Sequence, residues 1–392
     1  MSKSSSTDTG DTGIDTHTHN ASPNVADATE AADHRVGNMG EPSGTSWPGK
    51  LLRAIVALGL LGALLIAVYL IATDPPPVAQ WTREDDAPVQ RFESVSTVVG
   101  EDLYRFSGFG DGLETTRAFY RYDRDKRVWK RLGDAPAPVT HCNAVVDGHV
   151  FWIAGGFVGN DPGKATSSVW LYDTRTDQWT AQTPLPELRA GGALVRLGRT
   201  LHYFGGFGAN RDTVHGDHWA LNLDDPRDWE PRAPLPVARG HLAGAVLDGF
   251  AYALGGQLRH DTKPFDLALV HAYDPTQDMW TERASLLRPR SHHEQSTFVI
   301  EGRILTLGGR DTATERNRFF RRRNGFLPLD SISLYDPAVN RWKDLSRLPV
   351  GLLGPSAHKV GDEIILMGGT TSGPYEPQNR VYSIPVSELL YE

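Results

Sequence analysis

The sequence predicts an all-β repeat chain, a propeller or an array of similar units, because two markers recur together over residues 91–369. The first marker is a glycine pair that closes a short apolar run, and the second is a tryptophan seven residues after an aromatic residue. A period near 50 residues with several short strands in each unit is typical of such repeats. Counted from Ser107-Gly108, the pairs recur at intervals of 48, 50, 50, 53 and 60 residues, beginning at Gly155, Gly205, Gly255, Gly308 and Gly368. The second marker consists of Tyr122/Trp129, Tyr172/Trp179, Tyr273/Trp280 and Tyr335/Trp342, with Asn222/Trp229 in the third repeat.

Composition is consistent with a globular β domain that carries an acidic tail. Apolar residues make up 39% of the chain and the formal net charge is −8. Residues 1–49 contain seven acidic and two basic side chains, which leaves a charge of −3 for the remainder. That remainder gives no case for a nucleic-acid partner. The one cysteine, Cys142, has no partner for an intrachain disulfide.

Three segments are predicted before the repeats. Residues 1–49 are rich in Ser, Thr, Asp and Gly and poor in aliphatic residues, which predicts a disordered polar tail. Residues 50–73 are predicted to form a transmembrane helix, because residues 54–73 are uncharged and of the length that spans one bilayer. Residues 74–80 contain three consecutive prolines and are predicted to form a stiff tether.

The charges around this apolar stretch predict its orientation. Lys50 and Arg53 stand at its N-terminal end, and the next basic residue is Arg83. By the positive-inside rule the expectation is a single-pass membrane protein with a cytoplasmic N-terminus and a periplasmic or extracellular repeat domain. The stretch lies too deep in the chain and is too long to be a cleaved signal peptide.

Each repeat is predicted to contain four strands, a to d, as the fourth repeat illustrates. Strand a covers 242–248, strand b 250–254 and strand c 269–274, and strand d is centred on Trp280. Asp147-Gly148, Asp248-Gly249 and Glu301-Gly302 predict a tight turn between strands a and b. Tyr-Asp-Pro at 273–275 and 335–337 predicts the turn between strands c and d.

These markers together resemble the kelch repeat. The glycine pair, the spaced Tyr and Trp, and the lead-ins Pro186/Arg189 and Pro236/Arg239 recur in register over about residues 81–386. The resemblance implies an all-β, six-bladed kelch-type propeller over residues 81–392. It also implies that the d–a and b–c loops share the face where binding sites of such propellers usually lie.

The ring is predicted to close with strands from both ends of the propeller. The sixth repeat stops at strand c, 381–384, and lacks a tryptophan strand. Trp81-Thr82-Arg83 stands before the first repeat and has the residues of a strand d. Residues 81–86 are therefore expected to complete the last blade, which removes the open sheet edges.

Polar side chains concentrate on the predicted d–a/b–c loop face, which holds seven of the eleven histidines of the repeat region. Three interpretations compete: repeat residues that satisfy backbone groups, a polar site for a hydroxyl-rich or anionic ligand, and a metal site. The candidate ligand-binding residues are His141, Arg189, His218, Arg239, His241, His260, Asp261, Arg290, His292, His293, Glu294, Arg310 and Asp311. The candidate metal ligands are His215, Asp217, His218, His292, His293 and Glu294, which suit Zn, Mn, Fe or Cu.

The leading hypothesis is a membrane-tethered, extracytoplasmic kelch propeller that binds a saccharide or a protein on the d–a/b–c face. The alternative is a sugar-acting enzyme that uses the same His, Arg and Glu residues, either an epimerase or mutarotase or a metal-dependent oxidase. Galactose oxidase and the sialic acid mutarotases also use kelch propellers. The copper site of galactose oxidase has no counterpart here, because no tyrosine can be assigned as the partner of Cys142. The sequence leaves catalysis, the metal and the ligand open, because one fold hosts all these functions.

Overall fold

The structure is a computed structural model that describes residues 47–72, 78–312, 328–371 and 376–390. Within these ranges six four-stranded antiparallel sheets follow one another along the chain as the blades of a β-propeller. In blades 1 to 5 the strands run a, b, c, d in chain order, with each strand paired to the next. The polar tail as far as residue 46 and residues 73–77 of the tether lie outside the described residues.

The strand bounds follow the predicted repeat closely. Blade 1 contains β2 (Val95–Val99), β3 (Asp102–Phe106), β4 (Phe119–Asp123) and β5 (Val128–Arg131), and blade 2 contains β7 (Ala144–Asp147), β8 (Val150–Ala154), β11 (Val169–Asp173) and β12 (Gln178–Gln182). Blade 3 contains β13 (Ala193–Leu197), β14 (Thr200–Phe204), β15 (His218–Asn222) and β16 (Trp229–Arg232), and blade 4 contains β17 (Ala243–Leu247), β18 (Phe250–Leu254), β21 (Val270–Asp274) and β22 (Met279–Arg283). Blade 5 contains β23 (Thr297–Ile300), β24 (Arg303–Leu307), β25 (Ser331–Asp336) and β26 (Arg341–Arg347), and blade 6 contains β27 (Ser356–Val360), β28 (Glu363–Met367), β29 (Val381–Pro385) and β1 (Thr82–Arg83). Short strands β6 (Val139–Thr140), β9 (Phe157–Val158), β10 (Lys164–Ala165), β19 (Gln257–Leu258) and β20 (Phe265–Asp266) lie in the loops, and a short helix α2 (Val386–Leu390) follows blade 6.

Blade 6 combines strands from the two ends of the propeller. Thr82 pairs with Ser383 and Arg83 with Tyr382, so β1 is the outermost strand beside β29. The hydroxyl of Ser383 also donates a hydrogen bond of 2.6 Å to Glu84. These contacts join chain segments about 300 residues apart, and they cover the edge of β29.

Contacts between blades explain the recurring spacing of the repeat markers. The second glycine of a pair donates its N–H to the carbonyl of the lead-in arginine of the next blade, at 2.8 Å for Gly156 to Arg189 and 2.9 Å for Gly206 to Arg239. Gly156 and Gly206 have φ values of 105° and 103°, which few side chains tolerate. The glycine pair therefore forms the contact between successive blades.

Tyrosine and tryptophan of a repeat stand directly opposite each other on strands c and d. In blade 4, for example, Tyr273 pairs with Trp280 with 5.2 Å between ring centroids. The Trp280 indole N–H then donates a 2.8 Å hydrogen bond to the carbonyl of Ala233, beyond strand d of blade 3. The same bond links Trp229 to Thr183 and Trp342 to Ala284, so these indoles hold neighbouring blades together.

One helix, α1 (Trp47–Ala72), precedes the blades in the chain. Across the described residues no helix has both the length and the hydropathy needed for a membrane crossing. This finding corrects the predicted transmembrane helix at 50–73, and with it the membrane as a partner and the single-pass localisation with a cytoplasmic N-terminus.

Candidate functional site

Six equivalent positions of the d–a loops form a ring at one end of the propeller. All six have left-handed backbone, with φ of 51°, 58°, 64°, 48°, 57° and 57° in chain order. Left-handed φ is uncommon for residues other than glycine. Five of the six stand 14 residues before the first residue of a glycine pair or of Ser107-Gly108, and the fifth in chain order stands 16 residues before it. The six are Glu93, His141, Gly191, His241, His292 and Gly354, and we call them the axial ring.

Backbone hydrogen bonds link neighbouring members of the axial ring. The N–H of Gly191 donates to the carbonyl of His141 at 2.7 Å, and that of Gly354 to the carbonyl of His292 at 3.1 Å. The N–H of Glu93 donates to the carbonyl of Gly354 at 2.9 Å, which closes the ring between the last and first repeats. These bonds explain how the loops hold a conformation that isolated residues disfavour.

The four side chains of the axial ring are in mutual contact. Glu93 lies 3.1 Å from Nε2 of His141 through Oε2 and 3.4 Å from Nε2 of His292 through Oε1. The ring of His241 stacks on that of His292 with centroids 3.8 Å apart, and its centroid is 4.5 Å from that of His141. The side chains of Glu93 and the three histidines are at most 8% exposed. Three imidazoles and one carboxylate therefore share one buried site.

An oxygen atom lies within hydrogen-bond distance of Nδ1 in each of the three imidazoles. Nδ1 of His141 lies 2.7 Å from the hydroxyl of Thr140, and Nδ1 of His292 lies 2.7 Å from that of Ser291. The preceding residue of His241 is a glycine, and here Glu294 supplies the oxygen, at 2.9 Å from Nδ1. When Nδ1–H donates to these oxygens, the lone pair of each ring is left at Nε2.

Burial fixes the protonation states of this cluster. Desolvation holds the pKa of His141, His241 and His292 well below the ordinary value, so these imidazoles are neutral. Burial, and then the charge of Glu294, raises the pKa of Glu93 well above its usual range. Burial raises the pKa of Glu294 to about 7. The cluster thus contains imidazole nitrogens with free lone pairs. It also contains two carboxyl groups, and burial disfavours their negatively charged form.

A cavity of about 160 Å³ opens over the axial ring, and Glu93, His141 and His292 form part of its wall. One side of the cavity is apolar and consists of the packed cluster Phe92, Phe109, Leu113 and Leu353. The other side is polar and comes from the b–c loops of blades 2, 3 and 4, which contribute Asp161, Arg211, His260 and Asp261. The cavity therefore offers an apolar wall facing hydrogen-bonding groups, as ligand sites commonly do.

The polar wall is held by contacts between three b–c loops. Nε of Arg211 lies 2.7 Å from Asp261, and its Nη2 lies 3.5 Å from Asp161. The backbone N–H of Asp261 donates to Asp212 at 2.9 Å, and Nδ1 of His260 lies 2.5 Å from Asp261. The His260 ring stacks on His241 with centroids 4.9 Å apart. His260 thus connects the polar wall to the axial ring.

A wider cavity of about 680 Å³ lies along the first strands of the blades and includes Glu294 and Gln295 in its wall. A narrow space between the two larger cavities is bounded by Glu93, His141, His241, His292, Glu294 and Gln295. Gln295 donates a 2.7 Å hydrogen bond to the carbonyl of Cys142. The axial ring is therefore a layer between the mouth cavity and the central channel.

The structure brings together His141, His241, His260, Asp261, His292 and Glu294 of the predicted site residues, and Arg310 reaches the same cavity wall. Arg239 and Arg290 are instead buried structural groups, with guanidinium donors on the carbonyls of Gly255 and Gly308 at 2.6 and 2.7 Å. Arg189 pairs with Asp217 at 2.5 Å and its guanidinium lies over the Trp219 ring. Asp311 is buried, 4% exposed, next to Arg310.

The six predicted metal ligands fall into separate groups. His218 packs between blades 3 and 4, with Nε2 2.9 Å from His202 and its ring against Tyr273. His293 is held inside blade 5, where Nδ1 lies 2.8 Å from the hydroxyl of Thr306. His215 and Asp217 form a half-buried pair 3.5 Å apart. Only His292 and Glu294 of that set reach the axial ring.

Sequence reasoning missed Glu93, Asp161 and Arg211 as site residues. The register of the repeat is the signal that identifies Glu93, because it stands 14 residues before Ser107 as His141 stands 14 before Gly155. No comparable marker precedes Arg211, whose loop is irregular in sequence. Cys142 lies beside the axial ring, and burial raises the pKa of its thiol to about 12, so it is not a reactive thiolate.

Comparisons with known proteins confirm the kelch resemblance. The family model described as "Kelch motif" matches residues 138–186. Kelch-like protein 36 of Mus musculus is 29% identical over 290 residues, which cover 71% of this chain and 44% of that protein. Kelch-like protein terF of Aspergillus terreus is 25% identical over 312 residues, covering 76% of this chain and 65% of that protein. The chain thus spans about half the length of these curated relatives, so the relatives' whole-protein activities do not transfer directly. The solved structure titled "Structure of YjhT" superposes with a TM-score of 0.64 at 14% identity and covers 77% of this chain and 97% of that one, which shows a shared fold.

Proposed function

Because the chain is a kelch-repeat β-propeller, we propose that it is a binding module that holds a small saccharide in the mouth cavity of the d–a/b–c face. The observation that carries the proposal is the two-sided wall of this cavity. Phe92 and Phe109 lie opposite Arg211 and Asp261 across a space of about 160 Å³. A sugar ring presents an apolar C–H face and a periphery of hydroxyl groups, which matches such a wall.

The charges of the wall favour a hydroxyl-rich ligand over a simple anion. The Arg211 guanidinium is paired with Asp261 and lies near Asp161, so its charge is compensated before any ligand enters. Neighbouring donors and acceptors of this kind suit a hydroxyl group, which donates and accepts at once. The cavity size supports one sugar unit rather than a long protein segment.

The test uses the full chain and a panel of neutral and acidic monosaccharides, measured by saturation-transfer NMR and by calorimetry. We expect Arg211→Gln and Phe109→Ala to weaken binding at least about tenfold, equivalent to ~1.4 kcal/mol. The control is Arg199→Gln, since Arg199 is half-exposed and pairs away from the cavity with Asp147 of blade 2 and Asp224 of blade 3. If no sugar binds, or if the three variants bind it equally, the mouth cavity is not a saccharide site. Binding of a protein partner that Arg211→Gln abolishes would likewise overturn the saccharide proposal.

A sugar-acting enzyme is the second candidate, and the acid–base groups of the axial ring favour it. Burial raises the pKa of Glu294 to about 7, and its carboxyl is hydrogen-bonded to His241. A group with a pKa near neutral pH transfers protons efficiently in either direction. The test is NMR exchange of anomeric or epimeric sugar signals, with Glu294→Gln as the variant. An exchange rate that Glu294→Gln leaves unchanged would remove the enzyme candidate.

A further inference from the structure

The geometry of the axial ring points to a metal site: we infer that Glu93, His141, His241 and His292 together bind one divalent first-row transition-metal ion. The inference does not depend on the saccharide proposal, because the metal contacts the floor of the cavity whatever ligand enters above it.

The donor atoms already lie close enough for a small displacement to place them around one ion. Ligand atoms of Glu93, His241 and His292 all lie within 4.8 Å of one another, and so do those of His141, His241 and His260. Glu93 additionally lies 3.1 Å from His141. His241 belongs to both groups, so it links the two sets of donor atoms. His260 lies beside the four proposed ligands as a further donor.

One nitrogen in this set has no hydrogen-bond partner among the described residues. This nitrogen, Nε2 of His241, is buried in a residue that is 1% exposed. A buried polar atom left without a partner costs roughly 1–3 kcal/mol, so native structures rarely retain one. Since the other nitrogen of His241 is held by Glu294, a metal ion is the partner that fits this lone pair.

The surrounding oxygens orient the imidazoles as the outer partners of metal-bound histidines do. Oxygens of Thr140, Ser291 and Glu294 are hydrogen-bonded to Nδ1 of His141, His292 and His241, respectively. An oxygen of Asp261 is likewise bonded to Nδ1 of His260. Such partners fix which nitrogen carries the proton and point the other at the ion. All four histidines have this arrangement, although the oxygens come from four different residues.

Backbone strain supports the same site. The four side-chain-bearing positions of the ring hold left-handed φ, from 48° to 58°. Strain of this kind concentrates at functional sites, where surrounding structure maintains it.

The donor set selects the class of metal. Imidazole nitrogen with one carboxylate suits Zn²⁺, Fe²⁺, Mn²⁺, Co²⁺ or Cu²⁺, whereas Ca²⁺ and Mg²⁺ prefer oxygen ligands alone. A different group, Glu187, His215 and Asp217, also places donor atoms within 4.8 Å. There the guanidinium of Arg189 already occupies both carboxylates, at 2.8 Å from Glu187 and 2.5 Å from Asp217. This second group therefore serves as an internal control.

The experiment strips the full chain with a chelator, restores Zn²⁺ or Co²⁺ alone, and measures stoichiometry by elemental analysis and affinity by calorimetry. We expect one ion per chain. Glu93→Gln keeps the shape of the side chain, and His292→Asn keeps a residue that accepts left-handed backbone, so both variants should fold. Each should weaken metal binding at least about 100-fold. The control His215→Asn should bind as the wild type does.

Co²⁺ supplies a second readout that a purely structural role of these residues does not produce. The bound ion should show visible absorption characteristic of nitrogen ligation in the wild type, and Glu93→Gln should shift or abolish it. Circular dichroism verifies that each variant is folded. The inference is overturned if the folded wild type takes up no ion. It is also overturned if Glu93→Gln and His292→Asn bind with wild-type affinity, or if His215→Asn is the variant that loses the ion.

Discussion

Replacement of Arg239 by alanine should destabilise the propeller strongly without acting through a ligand. Its side chain is 0% exposed and donates to three backbone carbonyls, of Gly255 at 2.6 Å, Val237 at 2.9 Å and Ala253 at 3.1 Å. Each buried carbonyl that loses a donor costs about 1 kcal/mol, so the free energy of unfolding should fall by about 3 kcal/mol. At ~2 °C per kcal/mol for a domain of this size, Tm should fall by about 6 °C.

The assay is urea unfolding followed by tryptophan fluorescence, together with calorimetry for Tm. Arg199→Ala is the matched control, because Arg199 is half-exposed and its ion pairs with Asp147 and Asp224 lie at the surface. Surface pairs contribute at most about 1 kcal/mol, so this control should unfold almost as the wild type does. If Arg239→Ala is as stable as Arg199→Ala but loses the metal or the sugar, Arg239 is a binding residue and our structural assignment is wrong.

Three further experiments test contacts within the propeller. Gly255→Ala should lower the free energy of unfolding by more than about 3 kcal/mol, because an added Cβ overlaps the carbonyl oxygen of Arg290. Gly148→Ala, at φ 64° with no described atom within 4 Å of the added Cβ, should lower it by about 1–2 kcal/mol. Equal urea midpoints for the two variants would contradict the contact between blades. Trp280→Phe should cost about 1 kcal/mol more than Trp179→Phe in the same unfolding assay, since only the first indole N–H has a carbonyl acceptor. Burial lowers the pKa of His218 from 6.5 to about 4, so its neutral form favours folding above pH 6.5 and this stability is lost as the pH falls toward 4. His218→Gln should therefore flatten the pH dependence of the urea midpoint between those values, and an unchanged slope would show that His218 does not contribute.

The repeat architecture could be read from sequence because its markers are forced by contacts between blades. A glycine pair is needed where the next blade's arginine carbonyl approaches, and a tryptophan is needed where an indole must reach the preceding blade. These requirements recur once in every unit, so they appear as a period. The comparisons find the kelch motif over residues 138–186 and kelch-like relatives, in agreement with the resemblance that this period indicates.

The candidate site could be read only in part, because histidines on the same loops serve different purposes. His241 and His292 stack on each other as neighbours in the axial ring, whereas His293, one residue further along, is held by Thr297 and Thr306 inside its own blade. Residue type does not separate these cases, since the difference lies in backbone direction. Glu93 was missed for a related reason: it is the acidic member of a set whose other side chains are all histidines, and composition alone does not group them.

The apolar stretch of residues 54–73 shows the opposite problem. Its length and lack of charge follow the pattern of a membrane span, yet among the described residues no helix satisfies both requirements for a crossing. A count of consecutive apolar residues predicts a helix from its sequence alone. That count does not by itself establish a membrane crossing.

In the axial ring the backbone conformation is the same at all six positions, whereas the side chains differ. Side chains at this ring can therefore be considered for engineering separately from the backbone. Gly191 already has the left-handed φ of its histidine equivalents, and a Cβ there would lie no closer than 3.1 Å to its neighbours. At Gly354 a Cβ would come within 2.8 Å of Glu93, so that position is closed. The replacement Gly191→His would add a fourth imidazole to the ring only with a shift of a few tenths of an ångström in the backbone of His241.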